Sequence, residues 1–217
     1  MESDTGVQSH TRNAETDNSR DRILKVAAEE FAREGFAGAR VDVIAEKAGV
    51  NKALIYYYFK SKKNLLDTLI SGLIDRGIGL AKYLMMIDKP EENDYAAGFE
   101  LFRQILSMFG ENESLIRIIM MESLKVGGED IMSKLLTVYM DSRITDVVET
   151  MKTKGVKIPD DNVQWIVTEL FTGLIPIIMF VLFRDNLGQK FGKTGEEMNE
   201  VFIKAIAATH MKTHMPD

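Results

Sequence analysis

Five lysines, Lys47, Lys52, Lys60, Lys62 and Lys63, fall within seventeen residues that contain no acid. Three consecutive tyrosines, Tyr56, Tyr57 and Tyr58, sit in their midst. This combination suits the sugar-phosphate backbone of a nucleic acid: ammonium groups displace counterions, and phenol hydroxyls bond phosphate oxygens while the rings pack on sugars or thymine methyls. The chain as a whole carries a net charge of -6, but residues 1 to 66 hold eleven Lys and Arg against ten acids. The excess acid therefore lies further on. Counterion release is a local effect, so an acidic body does not exclude a basic contact surface.

Other chemistry is poorly supplied. With no cysteine and three histidines, thiolate zinc sites, disulfides and His- or Cys-based triads lack material. His210 and His214 stand one helical turn apart, yet no third histidine accompanies them, and neither a metal nor a cofactor is expected. Gly188 followed by Gly192-Lys193-Thr194 imitates a phosphate-binding loop, but it is one residue short between the glycines and no strand leads into it. The later part of the chain is rich in Met and aromatic residues, which conform to irregular apolar pockets. Phe102, Met120, Tyr139 and Trp165 are candidate lining residues there, and Glu169, the single charge between Trp165 and Phe183, is a candidate anchor for a polar end of a ligand. Glu122 and Arg143 could do the same, or the three could pair with one another.

The elements that position these residues are helical. Of 217 residues 45% are hydrophobic and only four are proline, no repeat is present, and no segment alternates long enough to require a sheet. An all-α fold is expected. Residues 1 to 17 are polar and acidic and read as a disordered tail without a secretory signal, and a cytoplasmic location is expected. A first helix follows, capped by Asn18 or Ser19, with Ile23, Leu24, Ala27, Ala28 and Phe31 at helical spacing and Gly35 as its stop. Two short helices come next, Val41 to Lys47 and, after the Asn51 cap, to about Tyr57. Ser61 opens a long fourth helix to the break at Asp88, Lys89 and Pro90. Further helices are predicted at about 92 to 110, 113 to 125, 129 to 154, 160 to 186 and 194 to 212, the last opened by a Thr194/Glu197 capping box. Trp165 to Phe183 is nearly long enough for a bilayer crossing, but Thr168, Thr172, Gly173 and Pro176 dilute it, and burial against a partner subunit explains it better. No membrane association is expected.

The second and third helices, with Ala45, Gly49 and Val50 between them, form a helix-turn-helix pattern. Ile55 and Phe59, one turn apart, should face its core, which turns Lys52, Ala53, Tyr56 and Tyr57 outward. The run "VDVIAEKAGVNKALIYYYFKSKKNLL" from Val41 to Leu66 resembles the signature of the tetracycline-repressor (TetR) family, as does "ILKVAAEEFAREGFAGA" before it. The likeness covers about the first third of the chain. It implies a dimeric transcription regulator, usually a repressor, with an N-terminal DNA-binding domain at about 18 to 64 and a helical ligand-binding and dimerisation domain at 65 to 217. Position by position it implies that Lys52, Ala53, Leu54, Tyr56 and Tyr57 read double-stranded DNA, with Tyr58 and Lys62 near the backbone. Arg40 stands where the family commonly has a capping Thr or Ser, and an arginine can supply the phosphate contact instead. The partners expected are a palindromic operator, a small apolar or amphipathic inducer and a second copy, and the apolar circumference of Trp165 to Phe183 with Val201, Phe202, Ala205 and Ile206 puts that copy against the last two helices. Two other functions compete: a constitutive DNA-organising protein without inducer, and a small helical enzyme, for which no nucleophile, metal set or acid-base pair can be placed.

Overall fold

The computed structural model describes residues 7–86, 95–125, 133, 142–153 and 155–214. These form α1 (Val7–Gly38), α2 (Val41–Ala48), α3 (Lys52–Phe59), α4 (Lys62–Met86), α5 (Tyr95–Glu111), α6 (Glu113–Ser123), α7 (Ser142–Thr153), α8 (Asn162–Thr168), α9 (Ile175–Phe191) and α10 (Gly195–Ile206). A π-helical turn, Glu169–Leu174, fuses α8 to α9, and another, Ala207–Met211, extends α10. No strand occurs among the described residues, and the chain is all-helical.

Helix α1 runs back to Val7, into the stretch expected to be a tail, so Asn18 and Ser19 are internal to the helix and not caps. Both side chains accept hydrogen bonds from Arg22 instead. Gly35 does break the helix: it takes a positive φ of 70°, which side-chain-bearing residues rarely adopt. Ile23, Ala27 and Phe31 of α1 pack with Ile44, Ala45 and Ala48 of α2, Ile55 and Phe59 of α3, and Leu65 and Leu66 of α4.

Inside this small domain Glu30 is buried yet doubly paired. Its carboxylate accepts from Lys47 Nζ at 2.6 Å and from Arg33 Nη2 at 2.7 Å. The bond from Lys47, aided by the Arg33 charge, outweighs burial and holds the Glu30 carboxyl below its ordinary 4.5. Lys47 is thereby withdrawn from the basic run. A depressed carboxyl pKa stabilises the fold above the unfolded value, and that stability is lost as pH falls through the folded one. Glu30→Gln should therefore cost about 2 kcal/mol at neutral pH, with a gap to wild type that closes on acidification below about 4.5. Urea denaturation along a pH series measures it; a gap independent of pH would remove the carboxylate from this role.

The N-terminal domain is wired to the rest by more than α4. α1 packs extensively on α6, whose Leu115, Ile116, Ile118 and Ile119 are buried, and one apolar core runs from Ile23 through Ile70, Phe102 and Leu106 to Ile206. In the middle of α4, a Cβ on Gly72 or Gly79 would meet nothing within 4 Å, and only Gly77 faces a neighbour, Met108. Gly72 and Gly79 therefore loosen α4 without serving close packing.

The helix predicted to end at about residue 186 runs on, because α9 continues to Phe191 and the connection to α10 shrinks to three residues. Gly188 is required by a close approach: a Cβ there would lie 2.6 Å from the Lys193 carbonyl oxygen. Gly192, in the left-handed region, ends α9, and Thr194 with Glu197 forms the expected capping box on α10. The apparent phosphate-binding loop is this helix-to-helix turn. Pro176 stands in the first turn of α9 directly after the π-turn, where the wider winding absorbs its missing N–H. Asn162–Phe191 is long and apolar enough to cross a membrane by length and composition.

Candidate DNA-binding surface

The turn between α2 and α3 is built locally. Gly49 adopts φ 64°, ψ 39°, and the N–H groups of Gly49 and Val50 close on Glu46 and Ala45 carbonyls at 3.1 and 3.0 Å. Asn51 Oδ1 then caps α3 by accepting from Leu54 N–H at 2.8 Å. Arg40, as its sequence position implies, caps α2 without a side-chain hydrogen bond and is exposed.

With Ile55 and Phe59 buried, α3 turns Lys52, Ala53, Tyr56 and Tyr57 to solvent, the last of them 69% exposed. Leu54 is half-buried. Tyr58 is half-buried too, packed on the core with its ring edge to Tyr57 and tilted on Phe59. Lys52 reaches Asp42 on α2 at 2.8 Å; the hydrogen bond between them holds the Asp42 carboxyl down and raises the Lys52 ammonium. Lys60 donates to the Tyr57 carbonyl and lies over the Tyr57 ring.

Lys62 departs from its expected place. Its ammonium donates to the carbonyls of Phe36, Ala37 and Ala39 at 2.7, 3.3 and 2.9 Å and sits 4.7 Å from the centroid of the Phe36 ring. All three N–H bonds are thus used on backbone at the end of α1 and just beyond it. The side chain fastens α4 to the end of α1, where the carbonyl ends of the helix attract a cation, and no donor is left for phosphate. Sequence spacing could not show this, because the acceptors lie on backbone more than twenty residues away.

The candidate ligand residues divide differently. Phe102 is buried with its ring edge to His210, 6.0 Å between centroids, while Met120 and Trp165 are half-buried and Tyr139 lies outside the described residues. Glu169 meets His214 Nε2 at 3.0 Å and His210 Nε2 at 3.5 Å, and Glu122 pairs with Lys125. The Arg143 side chain lies outside the described set. A surface groove of about 320 Å³ is lined by Lys193, Thr194, Glu196, Glu197, Glu200, Val201 and Lys204, none of them among the five candidates.

Residues 23–69 match the family model of bacterial regulatory proteins of the tetR family. This segment is a tetR-type helix-turn-helix. It coincides with the domain that presents Lys52, Tyr56 and Tyr57. Over 69 residues the chain is 39% identical to the HTH-type transcriptional repressor NicS of Pseudomonas putida, covering 32% of the chain and 31% of that protein. Over 107 residues it is 32% identical to the repressor SCO4008 of Streptomyces coelicolor, covering 49% and 50%. The alignments thus span half or less of these relatives. Two crystal structures share the fold across most of the chain: a regulator from Aquifex aeolicus (TM-score 0.63, 17% identity, 88% and 98% covered) and one from Marinobacter aquaeolei (0.65, 21%, 91% and 98%).

Proposed function

We propose that the chain is a cytoplasmic, homodimeric transcriptional repressor that binds a palindromic operator through α3 and is released by a small apolar or amphipathic inducer. The observation that carries the DNA-binding half is the solvent-facing set Lys52, Ala53, Tyr56 and Tyr57 on a helix whose opposite face, Ile55 and Phe59, is buried. Arg40 at the start of α2 supplies a flanking cation, and Lys52 exchanges Asp42 for phosphate on docking. Tyr57→Ala should weaken operator binding about tenfold, the loss of one hydrogen bond and a ring contact, with stability within about 0.5 kcal/mol of wild type. A mobility-shift titration on the upstream region of its own gene, against random DNA, reads both affinity and preference. Wild-type binding without preference would favour the constitutive reading, and unchanged binding by the variant would move the contact face elsewhere.

An exposed apolar stripe supports the second copy. Val163, Val167, Phe171, Met179, Phe183 and Leu187 are all exposed and fall at multiples of four residues along α8 and α9. An ideal helix turns such a stripe by about 40° per step, and the wider π-turn in its middle offsets part of that drift. Val201 on α10 is exposed as well. A four-helix interface with the same helices of a partner covers this face. Inducer binding among α4, α5 and α6 acts on the DNA-binding domain through two links, the continuity of α4 and the packing of α1 on α6, and changes the spacing of the recognition helices. Induction requires that a ligand bind the free protein more tightly than the operator complex, so affinities measured on both forms decide it.

A further inference from the structure

His210 and His214 acquire a third companion from another element. Glu169, on the π-turn after α8, brings its two carboxylate oxygens to the Nε2 atoms of the two histidines, and the ligand-capable atoms of all three lie within 4.8 Å of one another. Two histidines at i and i+4 and a carboxylate from a facing helix are a zinc-type donor set.

The surrounding hydrogen bonds say which ring atoms are available. His214 Nδ1 lies 3.0 Å from the Lys157 carbonyl oxygen, which can only accept, so Nδ1 carries the proton. His210 Nδ1 lies 2.7 Å from Thr172 Oγ1. That hydroxyl already gives its single proton to the Thr168 carbonyl at 2.7 Å, so it accepts from His210 Nδ1–H. Both neutral imidazoles are therefore fixed with Nε2 as a lone pair. Two lone pairs then converge on a carboxylate, and either a proton on one Nε2 or a metal cation must sit among these acceptors. A ring that donates Nδ1–H to a carbonyl or hydroxyl while offering Nε2 is the usual outer support of a metal-bound histidine. The pocket is also shaped for it: a Cβ on Gly173 would stand 3.0 Å from His210 Cε1 and Nε2, so only glycine lets that ring lie against the π-turn. Ligand bonds of about 2.1 Å in a tetrahedron require donors about 3.4 Å apart; the two Nε2 atoms stand 3.0 and 3.5 Å from different Glu169 oxygens, and one donor atom from each residue lies within 4.8 Å of the others, so the set closes by about 1 Å around an ion.

We propose that Glu169, His210 and His214 bind one divalent zinc-type metal ion per chain, held by a carboxylate oxygen and two Nε2 atoms, with water in the fourth position. The ion joins the π-turn after α8 to the π-turn after α10, and through His214 to the segment at Lys157. Thr172 and Lys157 orient the rings without touching the ion.

The test is a titration of metal-free, full-length protein with Zn²⁺ against a chelating indicator, repeated with Co²⁺ for the visible spectrum of its bound ion. One equivalent should bind to wild type, raise its melting temperature and, for cobalt, give the intense bands of a four-coordinate site. Glu169→Gln and His214→Asn should lose this binding, and Thr172→Val, which leaves all three ligands in place, should weaken it about 10- to 100-fold. His10→Asn, the remaining histidine, should bind as wild type does. Circular dichroism confirms that each variant is folded. Absence of zinc binding by wild type would leave a plain Glu169–His214 ion pair and overturn the proposal. Equal affinity in His214→Asn and Thr172→Val would do the same even if Glu169→Gln failed to fold.

Discussion

Phe171→Glu combined with Phe183→Glu should yield a folded monomer that binds operator DNA about 10²- to 10⁴-fold more weakly than wild type. In the single chain these rings are 61% and 50% exposed, so glutamate at either position stays in water and costs the isolated fold little. In the proposed dimer each charge would be carried into an apolar interface, where an unpaired carboxylate is expensive. The large effect on DNA arises because two recognition helices on one body gain a high effective concentration for the second half-site, and a monomer forfeits it. Light scattering paired with a mobility-shift titration checks both parts. A wild-type monomer, or a variant that remains dimeric, would displace the interface from α8 and α9; a monomeric variant with undiminished affinity would displace the two-fold operator.

Lys62→Ala should destabilise the protein by about 2 to 3 kcal/mol, the range for hydrogen bonds made by a charged donor, because it leaves the carbonyls of Phe36, Ala37 and Ala39 without their shared ammonium. Its effect on the salt dependence of DNA binding should be small. A lysine that contacted phosphate would behave in the opposite way: stability unchanged, and the slope of log affinity against log salt reduced by about one. Denaturant midpoints and a salt series on the same preparations therefore separate a fastening lysine from a contacting one. Lys62→Met, which keeps an unbranched side chain without the ammonium, should fall between alanine and wild type.

What the sequence determined by itself is the part of this protein whose interactions close within a few residues. Asn51 bonding the N–H of Leu54, Gly49 turning left-handed after Ala48, Thr194 exchanging bonds with Glu197, and Ile55 with Phe59 one turn apart are all settled by local geometry, and each stands where spacing placed it. The outward face of α3 follows from the same periodicity, since burying one side of a short helix exposes the other. Local signals were weaker at the end of α9: the helix expected to end near residue 186 runs on to Phe191, where Gly192 turns left-handed, and the Lys193 carbonyl packs against the bare Gly188 Cα. Long-range partners were invisible altogether. Which carbonyls would receive Lys62, that Lys47 would be spent on Glu30, and that the lone acid of an apolar helix would meet two histidines some forty residues later depend on how helices cross. A cation or a carboxylate declares its charge in the sequence, but its partner is chosen only when packing has brought distant backbone and side chains within about 3 Å, and that choice belongs to the tertiary structure.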